Sequence, residues 1–289
     1  MEIRPMSEVT TDDLIHAFNL AYRNYYTPIT MNRMLIQSLQ ERDAVDLGKS
    51  VVAVEDGQVI GTSFIGLRPP DGWIGGVGVI PTYRRHGAAR QMLRYQIDHA
   101  PDYDLTSLRL EVVEQNTGAI TLYEQLGFVA TRRMFMLERD YGGDLPLVPN
   151  GYQIDLCHPL KALKFYNAFH DTDNSWQRNR SALEKMAESL QGFMVHCGDY
   201  RPIGYAVGWF HFDYNHLMDV AIDPTCGDRT EAAHALLIHL HSHPEPPAGY
   251  IFNVAEHDFL ITAFRDIGYY PSLAQWEMHL PLNKPDNDL

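Results

Sequence analysis

The 289-residue chain is poor in the features that mark several large protein classes. It holds three cysteines, Cys157, Cys197 and Cys226, with no C-x-x-C pair among them. That count excludes a disulfide framework or a zinc knuckle of ordinary spacing and fits reduced thiols. No apolar run approaches the roughly twenty residues of a membrane span, so a membrane is excluded as a partner. The opening Met-Glu-Ile-Arg-Pro has neither a basic start with an apolar run nor a lipidation motif, which leaves the cytoplasm as the expected compartment. Cations are scarce, 23 Lys and Arg against 37 Asp and Glu for a net charge of −14, which argues against nucleic-acid binding. Two common phosphate loops, G-x-x-x-x-G-K-[ST] and G-x-G-x-x-G after a strand, are missing as well. The alternating imidazoles of His239-Leu240-His241-Ser242-His243 close a predicted helix just before Pro244. Alternate helical residues diverge, so the expectation there is carbonyl capping or solvent exposure rather than a metal.

What is present concentrates in one stretch, Val77-Gly78-Val79-Ile80-Pro81-Thr82-Tyr83-Arg84-Arg85-His86-Gly87-Ala88-Ala89. Val77 and Val79 alternate as a strand, Pro81 ends the ladder, and a basic loop feeds an amphipathic helix. Gly87, Ala88 and Ala89 leave the backbone unshielded where a helix begins. Bare N–H groups, the positive end of the helix dipole and neighbouring arginines make an anion site of pyrophosphate size. Arg84, Arg85, Arg90 and Arg94 crowd together on an otherwise acidic chain, which points to the same conclusion. The bland alternative is a plain strand-to-helix corner with surface arginines.

About thirty residues on, Leu108 to Val113 alternates as a strand, and Asn116-Thr117-Gly118-Ala119-Ile120-Thr121-Leu122-Tyr123-Glu124-Gln125-Leu126-Gly127-Phe128 reads as a capped helix closed by glycine. The two segments resemble two motifs of the GNAT superfamily of N-acetyltransferases. Arg84-x-x-Gly87-x-Ala89 is similar to its acyl-coenzyme A loop, [QR]-x-x-G-x-[GA] after V-x-V-x-P. Asn116 to Phe128 is similar to its closing motif, N-x-x-A-x-x-L-Y-x-x-x-G-F, at every fixed position.

The resemblance implies a mixed α/β sheet in the order β-α-α-β-β-β-α-β-α-β, and residues 1–140 fit that order, ending near Glu138. It implies acetyl-coenzyme A as cosubstrate and no metal. Val77, Gly78 and Val79 would hold the donor beside a splayed strand, with backbone N–H groups near Val79 acting as oxyanion donors. The loop from Arg84 through Arg85, His86, Gly87, Ala88 and Ala89, with Asn116, would complete the cofactor site. Tyr123 matches the general acid that protonates the departing thiolate, the alternative being a core aromatic on its helix. The family's usual strand glutamate has no counterpart in Trp73-Ile74-Gly75-Gly76-Val77-Gly78. Glu111 and Asp71 are therefore the carboxylates left as a base, either of which is equally a structural group. The Gly75-Gly76 pair fits backbone clearance or a bulge near the acceptor. Tyr25, Tyr26 and Trp73 are candidates for the acceptor pocket or for helix packing, and the acceptor is a small-molecule or peptide amine.

The same order returns after a turn-rich linker at 141–150, giving a second domain at 151–289. Val220-Ala221-Ile222-Asp223-Pro224 matches Val77 to Pro81, and Phe264 to Tyr269 matches Tyr123 to Phe128, displaced by about 141 to 143 residues. The loop chemistry is not repeated. Arg84, Gly87 and Ala89 align with Gly227, Thr230 and Ala232, with Asp228 and Glu231 between them, and carboxylates there repel a pyrophosphate. The second half is thus expected to be a degenerate copy without a coenzyme A site, used to close a sheet edge, shape the acceptor pocket or join a homo-oligomer. The expected activity is acetyl transfer to a primary amine. The alternative is a non-catalytic acyl-coenzyme A sensor or interaction module.

Overall fold

A computed structural model describes residues 1–198 and 201–282 of the chain. In chain order the elements are β1 (Glu2–Pro5), α1 (Thr11–Tyr22), α2 (Arg33–Arg42), β2 (Val51–Glu55), β3 (Gln58–Arg68), β4 (Asp71–Val79), α3 (Ala88–His99), β5 (Ser107–Val113), α4 (Thr117–Gln125) and β6 (Val129–Arg139). There follow β7 (Tyr152–Cys157), the short α5 (Pro159–Ala162) and α6 (Tyr166–Phe169), α7 (Arg180–Met186), β8 (Gln191–Cys197), β9 (Pro202–Phe210), β10 (Tyr214–Ile222), α8 (Arg229–Leu240), β11 (Ala248–Ala255), α9 (Leu260–Asp266) and β12 (Tyr270–Pro281). The first ten have the β-α-α-β-β-β-α-β-α-β order read from the sequence.

Two compact units result, Met1–Arg132 with the chain from Trp276 onward, and Arg133–Gln275. Their division runs through β6 and β12, not through the turn-rich stretch at 141–150. A strand belongs to whichever sheet supplies its hydrogen-bonding neighbours. The end of β12 accordingly lies in the first unit, where Leu282 N–H donates to the Thr106 carbonyl (2.8 Å) and Arg132 pairs with Glu277 (2.7 Å). The end of the expected second domain, from residue 283, lies outside the described residues.

In the first unit the sheet runs β1-β2-β3-β4-β5, followed by the end of β12 and the start of β6. Local chemistry fixes the two helices on one of its faces. Thr10 caps α1 by accepting from the Asp13 N–H, Asn32 caps α2 by accepting from the Leu35 N–H, and Leu14, Ala17, Phe18 and Ala21 form the buried stripe of α1. Asn19 clamps the connection between them by bonding both the carbonyl (3.0 Å) and the N–H (2.7 Å) of Met31. A core of Ile65, Ile74, Leu93, Leu108, Leu110, Val112 and Phe128 packs α3 and α4 against the sheet. Each such side chain contributes roughly 1.5–3 kcal/mol on burial.

The second unit places β7 to β11 in the order β11-β10-β9-β8-β7, with β6 from Arg133 beside β11. Its helix α8 is buried on nearly all sides, through Ala232, Ala233, Leu236, Leu237 and Leu240 among others. That matches its near-continuous apolar sequence.

The duplication is visible in register. β4 and β5 pair in parallel at Asp71↔Ser107, Gly72↔Leu108 and Trp73↔Arg109, and β10 and β11 at Tyr214↔Ala248, Asn215↔Gly249 and His216↔Tyr250. These are the same three pairs, displaced by 143 residues on one strand and 141 on the other. Both pairings then stop while the strands continue. The helix ends repeat too: Gly127 and Gly268 take left-handed φ values of 94° and 91°, and the next residue in each case donates to the carbonyl of Tyr123 or Phe264.

Candidate active site

The splay of β4 from β5 is built by a bulge. Opposite β3, Gly75 pairs with Phe64 and Gly78 with Thr62, so Gly76 and Val77 occupy the place of one residue. Gly76 has φ +58°, and a Cβ there would lie 2.5 Å from the Phe64 ring. The bulge expected from Gly75-Gly76 is present. The clearance at Gly75 serves a different purpose, for the indole of Trp73 folds over it.

Three side chains hold the bulged strand by its carbonyls. Thr62 Oγ1 donates to Gly76 (2.9 Å), Tyr22 to Val77 (3.2 Å) and Arg84 Nε to Val79 (3.0 Å). Gly78 lets α1 approach, since a Cβ would meet the Tyr22 ring at 2.7 Å. Beyond Trp73 the edge of β4 that faces β5 has no pairing strand. It opens into a cleft of about 590 Å³ whose walls are Val77 and Val79, the loop at Arg84 and Arg85, the start of α3 at Gly87 to Arg90, and α4 through Tyr123.

The helix start in this cleft is bare. Gly87 is the N-cap residue of α3, in the left-handed region at φ 85°, and no side chain caps the helix. Arg85, also left-handed at φ 71°, makes no ion pair among the described residues. Arg84 is used otherwise: its guanidinium donates to the carbonyls of Val79 and Ala21, so it anchors the loop from within. Arg90 bonds Gln125 of α4 across the cleft. Ala88 and Ala89 line it, whereas His86 is exposed and outside the lining.

Tyr123 lies on the buried face of α4, 6% exposed, and lines the cleft, and its hydroxyl makes no hydrogen bond among the described residues. Burial, reinforced by nearby Tyr25, pushes its pKa well above that of free tyrosine. The phenol stays protonated at neutral pH. Tyr25 is also raised, chiefly by burial, with the nearby Asn116 side chain opposing the shift; the Asn116 oxygen accepts from the Ala119 N–H to cap α4.

A second cavity, about 380 Å³, adjoins the first at Val77, Val79 and Arg84 and reaches Tyr22, Tyr25, Tyr26 and Asn116. Gly78 lines this one. Tyr26 holds its rim by donating to the Gln115 carbonyl (3.1 Å). Trp73 and Glu111 line neither cavity. Trp73 is buried and its indole N–H donates to Glu111 (2.7 Å), so its expected place in the acceptor pocket is not where the fold puts it. Asp71 accepts from Ser107 Oγ and faces Arg109 at 3.3 Å, which makes it a structural group. Tyr22 and Asn24 of the run Tyr22-Arg23-Asn24-Tyr25-Tyr26 line the second cavity as well, so the aromatic and polar stretch between α1 and α2 borders it as its composition suggests.

The corresponding place in the second unit is filled. Asp228 caps α8, its carboxylate accepting from the Glu231 N–H at 2.8 Å, and Glu231 in turn accepts from the Tyr152 hydroxyl. Arg229 pairs with Asp171, stacks 3.5 Å over the Phe259 ring and donates to the Ile222 carbonyl at 3.3 Å. Phe264, in place of Tyr123, is fully buried. About 100 Å³ remains there. Among the described residues no group of three or more His, Cys, Asp or Glu is placed to hold a metal, and no helix is long and apolar enough to cross a membrane. In the histidine run, His241 is buried between the Leu237 carbonyl (2.9 Å) and the Tyr269 hydroxyl (3.1 Å) rather than facing solvent.

A parted parallel pair, an uncapped glycine at a helix start and a phenol on the facing helix thus border one cleft. Residues 11–128, within the first unit, match the model of the acetyltransferase (GNAT) family. The chain is 34% identical over 77 residues to "N-alpha-acetyltransferase 30" of Saccharomyces cerevisiae, a match covering 27% of this chain and 44% of that protein. It is 42% identical over 52 residues to "[Ribosomal protein bS18]-alanine N-acetyltransferase" of Escherichia coli K12, covering 18% of this chain and 35% of that one. The matches thus span less than half of either relative. A solved structure described as a tandem GNAT protein from the clavulanic acid biosynthesis pathway superposes with TM-score 0.72 over 99% of both chains, at 15% identity, and shares the fold.

Proposed function

We propose that the protein is an N-acetyltransferase that moves the acetyl group of acetyl-coenzyme A to a primary amine, using one active site in the first unit. The observation that carries this reading is the Tyr123 phenol, protonated and without a protein partner, at the wall of a cleft that begins at an uncapped helix. The donor would lie along β4, its pyrophosphate at Gly87 to Ala89 with Arg85 alongside, and the thioester supplies the activated acetyl group. Backbone N–H groups on the unpaired edge near Val79 are suited to the carbonyl oxygen as charge builds on it. Tyr123, kept protonated by burial, then gives its proton to the leaving thiolate, and the proton released by the attacking amine restores the phenol.

The amine enters through the tyrosine-lined cavity, which meets the donor cleft at Val77 and Val79. No carboxylate lines that cavity; in this reading Glu111, which accepts from the Trp73 indole, serves as base through a water relay. The curated relatives are named for acetylation at an N-alpha position and at an alanine, which makes a peptide α-amine the first acceptor to test. A panel of amines, peptides with free N-termini included, should release thiol from acetyl-coenzyme A in stoichiometric yield with acetylated amine. Tight cofactor binding without amine-dependent thiol release from any acceptor would leave an acyl-coenzyme A sensor instead.

A further inference from the structure

The second unit contains a larger cavity than its filled cleft, about 410 Å³, assigned to nothing so far. Its walls are Tyr141, Tyr214, Tyr250 and Tyr270, with Glu138 and Asp140. Tyr250 and Glu138 are direct cross-strand partners on β11 and β6, and Tyr214 stands opposite Ala248 on β10. Ala248 and Tyr250 share one face of β11, and because Ala248 offers only a methyl group the space between the rings is not filled.

The chemistry of the walls is one-sided. Tyr141 donates to Glu245 (2.6 Å) and Tyr270 to Asp140 (3.0 Å), so two rings are fixed by carboxylates, of which Asp140 is itself part of the rim. The Glu138 carboxylate has no ion pair or hydrogen bond among the described residues. Burial raises the pKa of Tyr214 and Tyr250 and the bond to Asp140 that of Tyr270, and the charge of nearby Glu138 adds to each. Arg139 is the one cation beside the cavity among the described residues, and it is spent. Strand alternation turns it away from Glu138, and its guanidinium donates to the carbonyls of Ile267, Asp140, Pro247 and Gly143. Neutral phenol rings present negative faces, and an unpaired carboxylate adds a full charge.

We propose that this cavity is a binding site for an organic ammonium cation, recognised by the four tyrosine rings and by Glu138. A compact, weakly hydrated alkylammonium group suits it better than an inorganic ion, because ring faces replace a hydration shell poorly for small ions and well for methylated nitrogen. The site is separate from the acyl-transfer cleft and needs no acetyl-coenzyme A.

The test is calorimetric or NMR titration of the intact chain with choline, against its uncharged carbon isostere 3,3-dimethylbutan-1-ol and against sodium chloride at equal ionic strength. Saturable binding with a Kd of about 1 mM is expected, with the alcohol at least about fivefold weaker. Tyr250→Leu and the conservative Glu138→Gln should each weaken choline about fivefold while circular dichroism melts remain cooperative. No saturation at concentrations well above millimolar, equal binding of the alcohol, or undiminished binding in folded Glu138→Gln and Tyr250→Leu would each overturn the proposal.

Discussion

Exchanging the residues that begin the two equivalent helices separates anion binding from stability. At α8 the Asp228 carboxylate satisfies the Glu231 N–H, and Asp228→Ala removes that cap at a cost of about 1 kcal/mol. In a chain of this size such a loss lowers Tm by roughly 2–4 °C, and acetyl-coenzyme A affinity should not change. At α3 the helix start is free and Gly87 borders the cleft. Gly87→Asp puts a carboxylate there, at the cost of a left-handed φ that aspartate tolerates better than most residues. A negative charge about 6 Å from a doubly charged pyrophosphate costs about 1.4 kcal/mol even at the dielectric of water, which is about tenfold in Kd, and more in a partly enclosed cleft. Isothermal titration with acetyl-coenzyme A reads both variants, and the wild-type chain should show a single site. An affinity for Gly87→Asp within about twofold of wild type would refute the assignment of this helix start as the anion site, as would a second equal site in the unaltered chain.

Tyr123→Phe should keep acetyl-coenzyme A affinity and lose turnover by about a hundredfold or more in kcat, measured by thiol release; an equal loss in affinity would make Tyr123 a packing residue. His241, pushed down to about 4 by burial, is neutral in the folded state and charges more readily when unfolded. Its contribution is therefore full above pH 6.5 and is lost as pH falls toward 4, by about 2 kcal/mol at pH 5. Urea melts of His241→Gln at pH 7 and pH 5 should show a difference smaller than wild type by that amount, and an identical difference would contradict the reasoning. In Asp219→Asn, the buried Arg178 loses the carboxylate that faces it at 3.0 Å, which should cost about 3–5 kcal/mol in denaturant unfolding; a loss below about 1 kcal/mol would mean that its bonds to the Met218 and Asn253 carbonyls suffice.

Much of the first unit was legible because its signals are local. Pro81, the small residues from Gly87, the Asn116 cap and Gly127 each act within a few residues of themselves, and each does in the fold what its chemistry implies. The repeat was legible for the same reason, since Val220 to Pro224 and Phe264 to Tyr269 carry the same local instructions. Side-chain destinations across the sheet were not. Nothing near Trp73 indicates that its indole will find Glu111, 38 residues away, rather than a pocket. Arg84 reads as a ligand for anions because it is basic and sits in a basic loop, yet the carbonyls that claim it belong to Val79 and Ala21. The partition of β6 and β12 between the units was hidden too, because alternation announces a strand and not its neighbour.

The two units keep one fold and differ in what occupies the cleft beside the parted strands. The backbone device survives, since β10 and β11 part after the same three pairs as β4 and β5. What changed is occupancy. A carboxylate caps the helix start, Phe264 supplies no hydroxyl, and Arg229 donates to the strand-end carbonyl of Ile222 as Arg84 does to that of Val79, while its guanidinium also covers Phe259. In the first unit the arginine sits in the loop before Gly87 and leaves the helix start open; in the second it sits at the first residue of the helix and closes it. A parted strand pair creates an unpaired edge that costs free energy unless something answers it. The second unit answers with its own side chains, whereas in the first the proposed donor would answer it, so the proposal rests on the bare glycine and the phenol and not on the splay, which both units share.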